Sequence, residues 1–141
     1  MGGYSDTTLS DAGEIIGDGK IVVLEPEKWA GKRFPLLDYI DVGDKLKEDT
    51  WLVLLYHHDC PRCQETIQNL PQITRRHGIQ KVAMIEVPPY SESKTLPAPG
   101  EGTLICGRLS DLRKWFADTP VALVLRDGKI ELPSELDTHL R

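Results

Sequence analysis

Six apolar residues in a row, Trp51-Leu52-Val53-Leu54-Leu55-Tyr56, lead through a short polar step into Cys60-Pro61-Arg62-Cys63. After these comes a stretch from Gln64 to His77 with helical apolar spacing. An unbroken apolar run of this length reads as a strand covered on both faces, so the chain must build layers around it. Pro61 suits the first position of a helix, where its missing N–H costs nothing. Cys60 then falls at the helix N-terminus, where unpaired backbone N–H groups and the helix dipole favour an anion. The thiolate is the reactive form of cysteine, so this position marks Cys60 as a nucleophile. Cys63, three residues on, lies on the same helix side and within reach of a disulfide with Cys60.

The rest of the chain supplies the layers. Gly2, Gly3, Gly13, Gly17 and Gly19 among Ser, Thr and Asp make residues 1–19 an expected flexible arm, followed by one domain over 20–141. Ile21–Leu24 reads as a short strand stopped by Pro26, residues 29–41 as an extended cover, and residues 43–49 as one or two helical turns. The run Trp51–His58 is the expected central strand. Ile67, Leu70 and Ile73 form the apolar stripe of the following helix; Pro71 interrupts it and Gly78 ends it. Lys81–Val87 reads as a strand, residues 88–102 as a long connection rich in Pro, Ser and Gly, and Thr103–Cys106 as a short strand. Ser110 is an expected helix cap for a segment running to Phe116. Val121–Leu125 reads as a buried strand, Asp127-Gly128 as a hairpin turn, Lys129–Leu132 as its returning strand, and Ser134 as the cap of a last helix. The expected class is α/β, a mixed central sheet with helices on both faces.

Composition narrows the function. A net charge of −5 and no run of Lys or Arg argue against a nucleic-acid surface. No stretch approaches the ~18 apolar residues of a membrane span. The first twenty residues lack an export-signal pattern, which leaves either a cytoplasmic protein or a soluble piece of a longer exported or tethered chain. Three cysteines are an odd count and do not make a disulfide framework. Cys60 and Cys63 alone are half of a zinc site, with no second Cys-x-x-Cys to complete it. His57, His58 and Asp59 beside them keep a copper or zinc carrier open as an alternative. Cys106 reads as an inert core thiol. Glu65 and Glu86 are candidate proton acceptors, and Tyr90 a candidate partner contact.

Together these residues resemble the thioredoxin superfamily. The likeness rests on the strand 51–58, Cys60-Pro61-Arg62-Cys63, a helix containing proline, and Thr119-Pro120 before the strand 121–125 and its hairpin. Gly31-Lys32-Arg33-Phe34-Pro35-Leu36-Leu37-Asp38 is similar to the corresponding upstream segment of redoxin-type members, among them membrane-tethered thiol reductases of the bacterial envelope. The resemblance covers roughly residues 20–135 and implies a three-layer sandwich with Pro120 cis and facing the cysteines. It places the protein on the extracytoplasmic side. The chain departs from the family at Asp59, which replaces the common tryptophan, and at Leu54, which stands where thioredoxins keep a buried Asp for proton transfer. Pro71 also lies one turn late, and the 88–102 connection is longer than the fold needs.

The function implied is thiol–disulfide exchange with protein or peptide thiols, reset by a redox partner, with no cofactor beyond the Cys60–Cys63 pair. Thr119 and Pro120 would hold the substrate chain. Pro61, Arg62, Asp59, His57 and His58 would tune the thiolate: Arg62 is expected to favour it by its charge and Asp59 to oppose it. His57 and His58 alternate across the strand, so at most one of them can face the cysteines. These residues do not fix the direction of exchange. A thiol peroxidase is a second reading, although His57 occupies the place where peroxide-reducing members need Thr. A non-catalytic interaction module is a third.

Overall fold

The structure, a computed structural model, describes residues 12–17, 20–29, 31–88, 90, 103–117 and 119–131. Its centre is a five-stranded sheet built from β3 (Thr50–Tyr56), β4 (Lys81–Glu86), β5 (Thr103–Arg108), β7 (Val121–Arg126) and β8 (Lys129–Glu131), in the order β5-β4-β3-β7-β8. The apolar run takes the middle place. β3 pairs parallel with β4 and antiparallel with β7, which makes the sheet mixed. β4 also pairs parallel with β5, and β7 antiparallel with β8. A parallel neighbour requires a crossover, and between β3 and β4 the helix α1 (Pro61–His77) supplies it.

Side chains alternate along β3, and the two faces build two separate cores. Leu52 and Leu54 face α1 with Val82, Met84, Ala122 and Val124, against Leu70 and Ile73 of the helix. Trp51, Val53 and Leu55 face the other way, into a larger cluster containing Trp29, Phe34, Leu36, Leu46 and Trp115. Removing a fully enclosed side chain from either layer, as in Leu54→Ala, costs about 2–5 kcal/mol.

No second α-helix covers that larger cluster among the described residues. Three 3-10 turns (Pro26–Lys28, Leu37–Tyr39, Gly43–Lys47) cover it, with a three-stranded sheet of β1 (Gly13–Ile16), β2 (Ile21–Leu24) and β6 (Lys114–Phe116). Among the described residues, the sheet is mixed as expected and one α-helix covers one face. Two local readings change. Gly13–Ile16, placed in the flexible arm, is a strand that pairs antiparallel with β2. The segment after Ser110 is not a helix. Ser110 Oγ accepts the Leu112 N–H at 3.2 Å in a tight turn, and the chain then extends into β6, parallel to β2. Extended backbone lets Trp115 point inward, 5 % exposed, with its indole N–H donating to the Ser110 carbonyl. Leu112, which a helix would have placed on the same stripe, is left 88 % exposed. Pairing with β2 outweighs a cap worth about 1 kcal/mol.

Other expected elements are present. α1 ends at Gly78, whose φ of 68° is left-handed, and the N–H groups of Gly78 and Ile79 close back on Arg75 and Thr74. Asp127 and Gly128, at φ 52° and 84°, form the hairpin turn between β7 and β8. Most of the 88–102 connection and the helix expected after Ser134 lie outside the described residues. Among the described residues no helix is long and apolar enough to cross a membrane.

Candidate active site

The site forms where β3 hands the chain to α1. After Tyr56 the chain turns through His57–Asp59, closed by the Cys60 N–H donating to the His57 carbonyl at 3.3 Å. Cys60 is extended (φ −100°, ψ 114°) and caps the helix: its carbonyl accepts the first helical N–H, from Gln64, at 3.1 Å. Its sulfur takes the place usually held by a Ser or Asp oxygen at a helix start and accepts the Cys63 N–H at 3.1 Å. Pro61 fills the first helical position.

The helix periodicity separates the two sulfurs. Cys63, Thr66, Leu70 and Ile73 are the buried line of α1. Cys63 opens that line and is fully enclosed, whereas Cys60, before the first turn, is partly open to solvent. Both are free thiols. Burial pushes the Cys63 thiol up to about 11, helped by the thiol donating to Cys60. For Cys60, burial acts upward, but hydrogen bonds from Cys63, from the Thr119 side chain and from the Arg62 backbone outweigh it and hold the thiol below its ordinary value. The pair is therefore polarised, with a thiolate-favouring outer sulfur and a protonated inner one.

Thr119 and Pro120 stand against this pair. Their peptide bond is cis, and the Cys60 thiol donates to the Thr119 carbonyl at 3.7 Å. Thr119 is buried, 8 % exposed. Its hydroxyl shares a 2.8 Å hydrogen bond with His57 Nδ1. Of the two histidines, His57 is thus the one turned to the cysteines. His58 and Asp59 are exposed, and the His58 carbonyl accepts from Gln64 Nε2 at 3.3 Å.

The tuning adds two features to the sequence reading. The Arg62 side chain is exposed, and its backbone is among the influences that lower the Cys60 thiol. Thr119 is expected to hold substrate through its backbone, and the bearing of its side chain on the sulfurs is an addition. A β-branched hydroxyl residue directly before a proline that faces a cysteine pair was the available sequence signal for it.

The remaining candidates fall into place around the pair. Glu65 is an exposed residue near the start of α1. Glu86 is buried, 6 % exposed, in register between Tyr56 and Arg108 on the helix-facing side of the sheet. Its carboxylate lies 3.8 Å from Arg108 Nε. Burial raises the Tyr56 hydroxyl to about 12, with Glu86, Cys106 and Cys63 adding to the effect. Tyr90 donates to the Leu109 carbonyl and lies under the Arg108 guanidinium, 4.7 Å from ring centre to cation. Cys106 is half-buried on β5 beside Met84, and burial raises its thiol. Among the described residues, no three His, Cys, Asp or Glu side chains converge as a metal site.

Compared with protein-family models, with curated proteins and with solved structures, the chain matches none.

Proposed function

We propose that this chain is a thiol–disulfide oxidoreductase of thioredoxin-like architecture, acting on protein or peptide thiols through Cys60 and Cys63. The observation that carries the reading is the polarised pair: Cys60 caps α1 with its sulfur held below the ordinary thiol range, and Cys63 is enclosed behind it. A structural cysteine pair has no need of that difference. An exchange pair does, because one sulfur must attack incoming substrate and the other must stay hidden until a mixed disulfide has formed.

In the reducing direction, Cys60 thiolate attacks one sulfur of a substrate disulfide. The S–S bond breaks, and the departing sulfur leaves with the electron pair and takes up a proton. Cys63 loses its proton, attacks Cys60 and expels the second substrate sulfur. The substrate has gained two electrons, and the chain holds a Cys60–Cys63 disulfide for a dithiol partner to reduce. Run backwards, the same steps oxidise a substrate dithiol. The Thr119–Pro120 turn, against Cys60, is the natural edge for an extended substrate segment, whose backbone adds to it as a further strand would.

The test is reduction of insulin disulfides by a dithiol-reset protein, with Cys60→Ser as control, joined to Cys63→Ser trapping in a cell extract. The expected results are turnover that Cys60→Ser abolishes and a Cys60 mixed disulfide with partner proteins. No turnover in either direction, or a trap holding only small thiols alongside rapid peroxide consumption, overturns the reading.

A further inference from the structure

The exchange reading, on which the following rests, leaves one proton without a destination. Cys63 must become a thiolate to attack Cys60, yet it is fully enclosed and burial holds its proton tightly. Water cannot reach it, and Leu54, at the depth of β3 behind the pair, is apolar and itself fully buried. Glu86, a buried carboxylate on the helix-facing side of the sheet, lies 3.8 Å from Arg108 one strand further out. Among the described residues, Thr119 offers a path away from the sulfurs. Its carbonyl lies 3.7 Å from Cys60 Sγ, its side chain bears on both cysteines, and its hydroxyl meets His57 Nδ1 at 2.8 Å.

We propose that His57 and Thr119 form a proton relay for the buried thiol: as Cys63 attacks Cys60, its proton passes to the Thr119 hydroxyl, whose own proton passes to His57 Nδ1. A hydroxyl can do this because it donates one proton and accepts on two lone pairs at once. Before the step, neutral His57 carries its proton on Nε2 and accepts from Thr119. After it, His57 is a cation donating from Nδ1 to Thr119. The threonine hydroxyl, now carrying the proton that came from Cys63, points back at the sulfur and stabilises the thiolate formed. That thiolate forms the S–S bond to Cys60, the Cys60–substrate bond breaks, and the substrate sulfur leaves with its electron pair. His57 is half-buried, so its ring connects the enclosed pair to water or to the departing sulfur, which takes the proton. Imidazole suits the role because it gains and loses protons near neutral pH. In the reverse direction the same path returns a proton to Cys63.

On the helix-facing side of the sheet the register also places Tyr56 on β3, Glu86 on β4, Cys106 and Arg108 on β5, Arg126 on β7, and Lys129 and Glu131 on β8. His58 and Asp59, which flank His57 and Cys60, are exposed. The relay is distinguished from these by the direct bond between His57 and the hydroxyl of Thr119, the residue whose carbonyl lies against Cys60.

Stopped-flow reaction of the reduced protein with 5,5′-dithiobis(2-nitrobenzoate) separates the two steps. Attack by Cys60 releases a first coloured thiolate, and resolution by Cys63 releases a second. In His57→Gln, which keeps a polar side chain but cannot take the proton, the second phase should slow at least about a hundredfold more than the first, the lower end of the range for losing general acid–base help. Its pH profile should lose the imidazole inflection and rise steadily with hydroxide. Thr119→Val should show the same ratio, the double variant should be no slower in the second phase than the slower single one, and Thr119→Ser should restore the second phase. An unchanged ratio of the two phases in both His57→Gln and Thr119→Val, or additive effects in the double variant, overturns the relay. The wild-type trace separates this from failure of the exchange reading: two released equivalents with an unchanged ratio remove the relay alone, whereas no release dependent on Cys60 removes both.

Discussion

Cys63 and Cys106 face the same layer, between α1 and the five-stranded sheet, and burial raises both thiols. Their surroundings differ in what stands next to the sulfur. Cys106 lies on a strand beside Met84, and burial raises its thiol. Cys63 opens a helix, with the Cys60 sulfur, the His57 backbone and the Thr119 side chain all hydrogen-bonding at its position. Under the proposed exchange, the contrast separates two kinds of enclosure: enclosure alone, as at Cys106, and enclosure beside an accessible sulfur and a set of hydrogen-bonding groups, as at Cys63.

The largest test of this contrast is Cys60→Ser. It should reduce disulfide exchange to background in the insulin assay, because neither Cys63 nor Cys106 can replace the outer sulfur. Substantial activity in that variant would mean that one of the buried thiols is the nucleophile. Second is the order of alkylation in the reduced protein, read by mass spectrometry after short exposure to iodoacetamide at pH 8. Cys60 should react at least about a hundredfold faster than Cys63, since a thiol near 11 is ionised on the order of one part in a thousand at that pH. Faster labelling of Cys63 would reverse their roles.

A smaller effect is expected from Thr119→Val, which removes the hydroxyl donor but keeps the branched shape. The absorbance of the Cys60 thiolate should titrate nearer the ordinary thiol value, and the rate of first attack at pH 7 should fall on the order of threefold to tenfold. No movement of the titration would show that the remaining hydrogen bonds suffice. The smallest effect belongs to Cys106→Ala: exchange within about a factor of two of the parent, and a stability loss of about 1 kcal/mol or less, the range for a half-buried side chain. Loss of turnover in that variant, still folded by circular dichroism, would join Cys106 to the site.

The two sulfurs of the pair also bear on stability in opposite senses. Both titrate near 9 in the unfolded chain. Cys60, lowered by folding, contributes stability that is present above that value and fades as pH falls through its folded value. Cys63, raised by folding, contributes stability present below 9 and lost as pH climbs through about 11. Urea midpoints of Cys60→Ser and Cys63→Ser across pH 7–11 should therefore converge on the parent at opposite ends of the range.

Much of this arrangement could be read from residues that are neighbours in sequence. The apolar run fixed the central strand, Pro61 placed Cys60 at the cap, Gly78 ended the helix, and Asp127-Gly128 turned the hairpin. What escaped depends on distant partners. β6 was read as a helix because Ser110 is a good local cap, whereas its real structure depends on β2, far earlier in the chain. Gly13–Ile16 looked like an arm because a glycine-rich strand declares itself only through its neighbour. The backbone hydrogen bond of Arg62 to Cys60 has no mark in the side chain that the sequence names. The His57–Thr119 bond spans 62 positions and has no local trace.

That separation has a consequence for how the protein comes to be reactive. Cys60 and Thr119 are 59 positions apart, and Thr119 reaches the pair only once β7 has laid down along β3. Contacts between remote parts of a chain form late, since they must overcome the entropy of closing a long loop. During synthesis, then, residues 60 and 63 emerge long before the hydroxyl that completes their surroundings. At these positions a nascent chain carries two ordinary thiols, and Cys60 gains its full set of hydrogen bonds only when the last strands of the sheet are in place.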